Sequence, residues 1–378
     1  MSGLDTWRGP NRLDALRGPS KPVDHNARSI AALAANPACQ RRAILDAAGI
    51  DKGSTIQHLG YPHQFGQSPF ALARQEQFKA IVKAHGGAHI LRLLRELLHL
   101  SVEEAGYHNV EDAADDNGRA VRHRHTRTVL RSAAEQPEHA ATLFDDPLLK
   151  LNVAGYDVYL EPDVIAFQVG RQFHVVAIKT FAVVDGQADT PKVSAAAREA
   201  AVYVHALREL FSSLGLDPAR VAHDVVLICP KDFMNFPTAA LVDVRHPLEV
   251  LRRQLERLSR IDDILDELPP GLSLDLRMEG KTPTRPAAEL AAAVSALEAR
   301  YAPECLAVCE MAYFCRAEAR ACGSLEALGR TVRDDLGGLE SIDTAIHLIS
   351  GDPVCSPEQD AIATRLQYLR RLHDEAVA

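Results

Sequence analysis

Apolar residues recur at helical spacing from Ser29 to Ala48, and Gly49 supplies the stop. The same period predicts helices over Phe70 to Ala84 and Ala88 to Leu100, with Gly86-Gly87 between them. From Glu103 to Pro147 the chain is polar and charged, which predicts a partly helical insertion. At Leu151 the pattern changes. Val153, Tyr156, Val158 and Leu160 form one β-type run, Val164 to Val169 a second, and Phe173 to Phe181 a third. Pro162 and Gly170-Arg171 separate them, so the three strands read as a meander. A loop from Gly186 to Pro191, a helix over Val193 to Leu214 and a strand over Val221 to Ile228, stopped by Pro230, come next. From Pro247 onward the pattern is helical, broken at Pro269-Pro270-Gly271 and Gly351-Asp352-Pro353.

These elements predict an α/β fold with an α-β-β-β-α-β core and a mixed sheet. Residues 1–27 carry Gly, Pro and charge without period and read as an unordered lead-in. Residues 28–66 form an N-terminal helical segment, 67–232 the core with a helical insertion at about 103–147, and 233–378 a C-terminal helical region.

With 378 residues, 47% of them hydrophobic and 25% charged, the chain can bury a substantial core. No run of roughly 20 apolar residues is present to span a bilayer. The N-terminus, with Asp5, Arg8, Arg12 and Asp14, lacks the apolar centre of a signal peptide. A cytoplasmic protein without membrane contact is therefore expected. The net charge of −9 argues against coating of the whole surface by nucleic acid. One basic group, Arg119, Arg122, His123, Arg124, His125, Arg127 and Arg131, reads either as a local groove for phosphates or as a solvated helix face.

Candidate chemistry lies first in Glu161-Pro162-Asp163 and Val175-Val176-Ala177-Ile178-Lys179. A carboxylate after a bend and a lysine on the next strand would stand side by side. This spacing, with the element order, resembles the PD-(D/E)xK nuclease superfamily. The resemblance implies a restriction-endonuclease-like core in which Asp163 holds Mg²⁺ or Mn²⁺ and Lys179 orients the attacking water. Its RecB branch carries a Gln-x-x-x-Tyr signature, and Glu199-Ala200-Ala201-Val202-Tyr203 is similar, with Glu for Gln. Two departures weaken the metal site: Ala177 stands where the family has a carboxylate or Gln, and Lys79 replaces the Glu of the first-helix motif. A divalent ion at Asp163 would meet Lys79 and Lys179 and be repelled unless Glu76, Glu161 or Glu199 supplied a substitute oxygen.

The seven cysteines, an odd number, argue against a disulfide framework. Cys305, Cys309 and Cys315 lie within eleven residues and Cys322 follows, a clustering that points to a soft metal or cluster. The arrangement resembles the iron–sulfur branch of RecB-like nucleases, which includes AddB and the RecB-like exonucleases of CRISPR adaptation. That resemblance implies a 4Fe-4S cluster held by Cys39 from before the core and by Cys305, Cys309 and Cys315 from after it, acting as a staple rather than a redox centre. A four-cysteine zinc site is the rival, and Cys322 could replace one of the trio. Cys229 and Cys355 read as core or surface residues.

Two functions follow from the resemblance. The first is a DNA-handling nuclease of repair, CRISPR adaptation or phage defence, acting on single-stranded or end-containing DNA, with a helicase or another defence or repair protein as partner. The second is a non-catalytic nuclease-fold subunit that grips DNA or a partner as a scaffold.

Overall fold

The computed structural model describes residues 12–62, 69–99, 105–110, 118–135, 142–167, 172–232, 234–337, 339, 341–351 and 356–377. Helices α1 (Arg12–Arg17), α2 (Ala27–Ala35), α3 (Gln40–Ala47), α4 (Lys52–His58) and α5 (Pro69–Leu98) come first. Then follow β1 (Gly106–Asn109), α6 (Gly118–Glu135), β2 (Thr142–Asp145), β3 (Leu149–Val153), β4 (Tyr156–Leu160), β5 (Val164–Phe167), β6 (Phe173–Ile178), α7 (Thr190–Ser213), β7 (Asp224–Pro230) and β8 (Pro237–Asp243). The remainder holds α8 (Arg245–Leu258), α9 (Ile261–Asp266), a two-stranded ribbon of β9 (Met278–Glu279) and β10 (Thr282–Pro283), and α10 (Ala287–Ser295). It ends in α11 (Cys305–Val308), α12 (Ala312–Ala321), α13 (Arg330–Asp335), α14 (Ile342–Ser350) and α15 (Pro357–Val377).

Two compact units result. The larger contains 21–37 and 66–267; the smaller contains 38–65, 268–378 and the described part of 1–20. The boundaries differ from the sequence segments at two places. The run from Ser29 to Ala48 breaks at Pro37, so α2 packs on α7 and α8 of the larger unit while α3 belongs to the smaller. Strand β8 and helices α8 and α9, placed by sequence in the C-terminal region, complete the larger unit.

The larger unit is α/β, built on a six-stranded mixed sheet of order β1-β2-β5-β6-β7-β8. β1 with β2 and β6 with β7 are parallel; the other neighbouring pairs are antiparallel. The meander expected from Leu151 is corrected here. Its first run is a separate hairpin, β3–β4, reversing through Ala154-Gly155 at positive φ, and β2 takes the place beside β5. Among the described residues of the expected helical insertion, α6 is helical and β1 and β2 are strands.

α5 covers one face of the sheet, where Phe78, Val82, Ile90, Leu93 and Leu94 meet Leu143, Val164, Val176, Ile178, Val226 and Ile228. The break that Gly86-Gly87 predicted is present: His85, Gly86 and Gly87 all adopt left-handed φ, of 54°, 62° and 74°. Glycine is required at 87, since an added Cβ would lie 2.8 Å from Leu143 Cδ1. On the other face Ala177, Val225 and Leu227 meet the alanines 196, 197 and 200 of α7. Asp189 caps α7 by accepting the Lys192 amide at 3.2 Å, and Pro191 stands in its first turn.

In the smaller unit the expected lead-in is partly ordered. Leu13 and Leu16 of α1 are buried and Arg17 donates to the Ala48 carbonyl at 2.9 Å; residues 1–11 lie outside the described residues. Leu325, Leu336, Leu339, Ala345, Leu348 and Ala363 form an apolar cluster under α14 and α15. No helix among the described residues is long and apolar enough to cross a membrane.

Candidate functional site

Asp163 precedes β5, Lys179 follows β6, and Glu199 and Tyr203 lie one helical turn apart on α7, so the sheet and its flanking helices bring the four predicted residues together. Each carboxylate is already engaged. Asp163 Oδ2 accepts the Ile178 amide at 2.8 Å, and its Oδ1 lies 2.8 Å from Lys79 Nζ. Lys179 Nζ donates to Glu199 Oε2 at 2.9 Å. Burial alone would lower the pKa of Lys79, but the charge of Asp163 and the hydrogen bond to it, with Glu76 and Asp146 behind, outweigh burial and raise it. The ammonium is thus a fixed charge at neutral pH.

A second layer, which the sequence did not announce, surrounds this pair. Lys83, one turn after Lys79, lies 2.5 Å from Asp145 and 2.8 Å from Asp146, and its pKa is also raised against the effect of burial. The Tyr107 hydroxyl donates to Asp145. Glu161, one proposed substitute ligand, is held by Arg122 at 2.8 Å. Glu76, the other on α5, is exposed. The signal for this layer was Lys79 and Lys83 at an i, i+4 interval on one helix face, opposite an Asp-Asp pair closing a short apolar run.

Tyr203 points into the same region. Its pKa is pushed well above the usual phenol range by burial first, then by Glu199, Asp163 and Glu161. It stays protonated and acts as a donor to Glu199 rather than as a base. Ala177 is 4% exposed and lines an apolar recess with the alanines of α7, so this position serves close helix–sheet packing and offers no ligand oxygen.

These residues do not fit a divalent ion. Among the described residues the group offering three ligand atoms within 4.8 Å of one another is His223, Asp224 and Asp243, at the far end of β7 and β8. There Arg245 already holds Asp243 at 2.5 Å.

Cys39, Cys305, Cys309 and Cys315 all lie in the smaller unit. Cys39 is the N-cap residue of α3 and carries no capping hydrogen bond, while Cys305 and Cys309 flank α11 and are tied by a 2.8 Å backbone hydrogen bond. Cys315 on α12 feels the charges of both Cys309 and Cys39. Cys305, Cys309 and Cys315 are buried. Burial pushes the thiol of Cys309 up to about 11 and that of Cys315 up to about 12, against the pull of Arg42 and Arg41 respectively. Arg41 donates to Cys315 Sγ at 3.2 Å and pairs with Glu318; Arg42 pairs with buried Asp46 at 3.0 Å. Arg41 beside Cys315 and Arg42 beside Cys309 would offset the negative charge that deprotonation of these thiols creates. No three of these sulfurs lie within 4.8 Å of one another.

Cys322 is exposed, Cys229 is buried within β7, and Cys355 lies outside the described residues. Comparison with protein-family models, with curated proteins and with solved structures returned no match.

Proposed function

We propose that the chain is a nuclease-fold protein, of the RecB-like iron–sulfur type, that has exchanged metal-dependent cleavage for binding of DNA or of a partner. The fold part of this reading rests on the succession α5, β2, β5, β6, α7, β7, which follows an α-β-β-β-α-β order once β1, α6 and the β3–β4 hairpin are treated as inserts. The observation that carries the loss of cleavage is the Lys79–Asp163 contact of 2.8 Å. An ammonium occupies the carboxylate that would have bound the ion, and Lys179, the residue expected to orient water, is spent on Glu199. A divalent cation entering between two lysines would have to displace one of them and lose its hydrogen bonds.

Four cysteines can hold either a 4Fe-4S cluster or zinc, and the resemblance to the iron–sulfur branch favours the cluster. Cys39, Cys305, Cys309 and Cys315 would hold the cluster, which supplies a cross-link between segments on either side of the core in sequence.

The native chain is expected to show no Mg²⁺- or Mn²⁺-dependent cleavage of single-stranded, duplex or flapped DNA. Cleavage that Asp163→Ala abolishes would overturn the reading. Lys79→Glu combined with Ala177→Glu tests it from the other side: metal-dependent cleavage gained by that variant supports an eroded nuclease ancestor.

A further inference from the structure

We propose that Arg124, Arg127 and Arg131 on α6 form a contact row for the phosphate backbone of nucleic acid, separate from the paired centre at Asp163. The proposal rests on the nuclease-fold reading above and names where its polyanion would sit. α6 packs through His123, Thr126, Leu130 and Ala134, all buried. Arg124, Arg127 and Arg131 follow one another at intervals of three and four, so they share the flank beside that buried stripe. At 1.5 Å per residue the row is about 10 Å long, which matches about three phosphates of one strand at 3.4 Å of duplex axis each.

The row carries charge that its surroundings do not cancel. Arg124 is exposed, and among the described residues no carboxylate pairs with Arg124 or Arg127. Arg131 is half exposed and meets Glu135 only at 3.7 Å. Beside the row, Lys150 on β3 and Asp157 on β4 pair at 2.8 Å and add no net charge, while Arg220 donates to the Ala134 carbonyl at 3.1 Å. The structural work of the row is small. Arg127 donates to Ser213 Oγ at 2.9 Å and Arg131 to the Leu214 carbonyl at 3.2 Å, at the C-terminal end of α7. Each contact uses part of a fork of five donors and leaves the rest for oxygens outside. A lipid surface fits less well, because no large hydrophobic side chain of α6 is exposed to enter a bilayer. In an acidic chain a positive row of regular spacing is best matched by a polymer of regularly spaced negative charge.

The test is fluorescence anisotropy of the full-length chain with labelled single-stranded and duplex oligonucleotides of arbitrary sequence, over a salt series. Arg124→Glu is expected to weaken binding about tenfold and to make the salt slope shallower by about 1. Arg253→Glu, on exposed α8, should leave binding unchanged. Arg124→Ala, which keeps a good helix former, guards against damage to α6, with circular dichroism as the check. Wild-type binding that Arg124→Glu and Arg124→Ala leave intact overturns the row, as does failure of the native chain to bind nucleic acid. Equal, Arg124-dependent binding to phosphatidylserine vesicles would overturn it in favour of a membrane. The failures are separable: if Lys79→Met abolishes binding and Arg124→Glu does not, the sheet centre grips the DNA and the row falls alone. If Arg124 matters but the native chain cuts, the row stands and the non-cleaving reading falls.

Discussion

The cysteine region and the sheet centre start from the same problem, gathering residues far apart in sequence around one point, and end differently. In the smaller unit the donors are thiols whose pKa burial raises, with Arg41 on Cys315 and Arg42 near Cys309. In the larger unit the donors are carboxylates already paired with ammonium groups: Lys79 on Asp163, Lys179 on Glu199, Lys83 on Asp145 and Asp146. The charge state of the donor decides the outcome. A cation beside a neutral thiol favours its ionisation, whereas one paired with a carboxylate leaves a self-neutralised cluster. Such a cluster has purely structural value, limited by the desolvation of its members.

The contrast is sharpest for the cysteines. Protein purified without oxygen is expected to be brown and to contain iron, and Cys309→Ser to lose both together with about 3 kcal/mol or more of stability of the smaller unit, read by chemical denaturation. Colourless protein containing zinc breaks the comparison. The sheet centre should respond less. Lys79→Met strands a buried carboxylate that keeps its amide hydrogen bond, costing about 1–3 kcal/mol, with no dependence on added Mg²⁺ or Mn²⁺. A shift of the melting temperature of the native chain by those ions would count against a self-neutralised centre. The smallest effect is pH-linked. His123 and His174 have pKa values lowered by burial from 6.5, so each favours the folded state when neutral. Their contribution is complete above about pH 6.5 and declines as pH falls below it, since the unfolded chain takes up the proton first. His174→Gln should flatten the stability–pH curve of the larger unit on its acidic side.

Much of this was legible in the sequence, for identifiable reasons. The β5–β6–α7–β7 succession announced itself through β-branched runs bounded by Pro and Gly, and the break in α5 through Gly86-Gly87. β2 did not, because Thr142 to Asp145 is too short to show a period and ends in charge. The hairpin was hidden since Leu149–Val153 and Tyr156–Leu160 alternate as one continuous β-type run, and Ala154-Gly155 alone marks the reversal. Among site residues, Asp163 and Lys179 were picked out by a spacing that resembles the nuclease superfamily and Glu199 and Tyr203 by the resemblance to its RecB branch; the four do lie near one another. Lys79 was expected near Asp163, but the pairing of Lys83 with Asp145 and Asp146 was not, because it depends on how Phe78 and Val82 seat α5 against the sheet.

The left-handed residues at His85, Gly86 and Gly87 divide α5 into two struts that bed on the sheet independently. Lys79 and Lys83 ride on the first strut alone, so their reach toward the carboxylates is indifferent to how the second lies. The crook itself is gauged by Leu143, two residues before Asp145, against which even a methyl group at position 87 would collide.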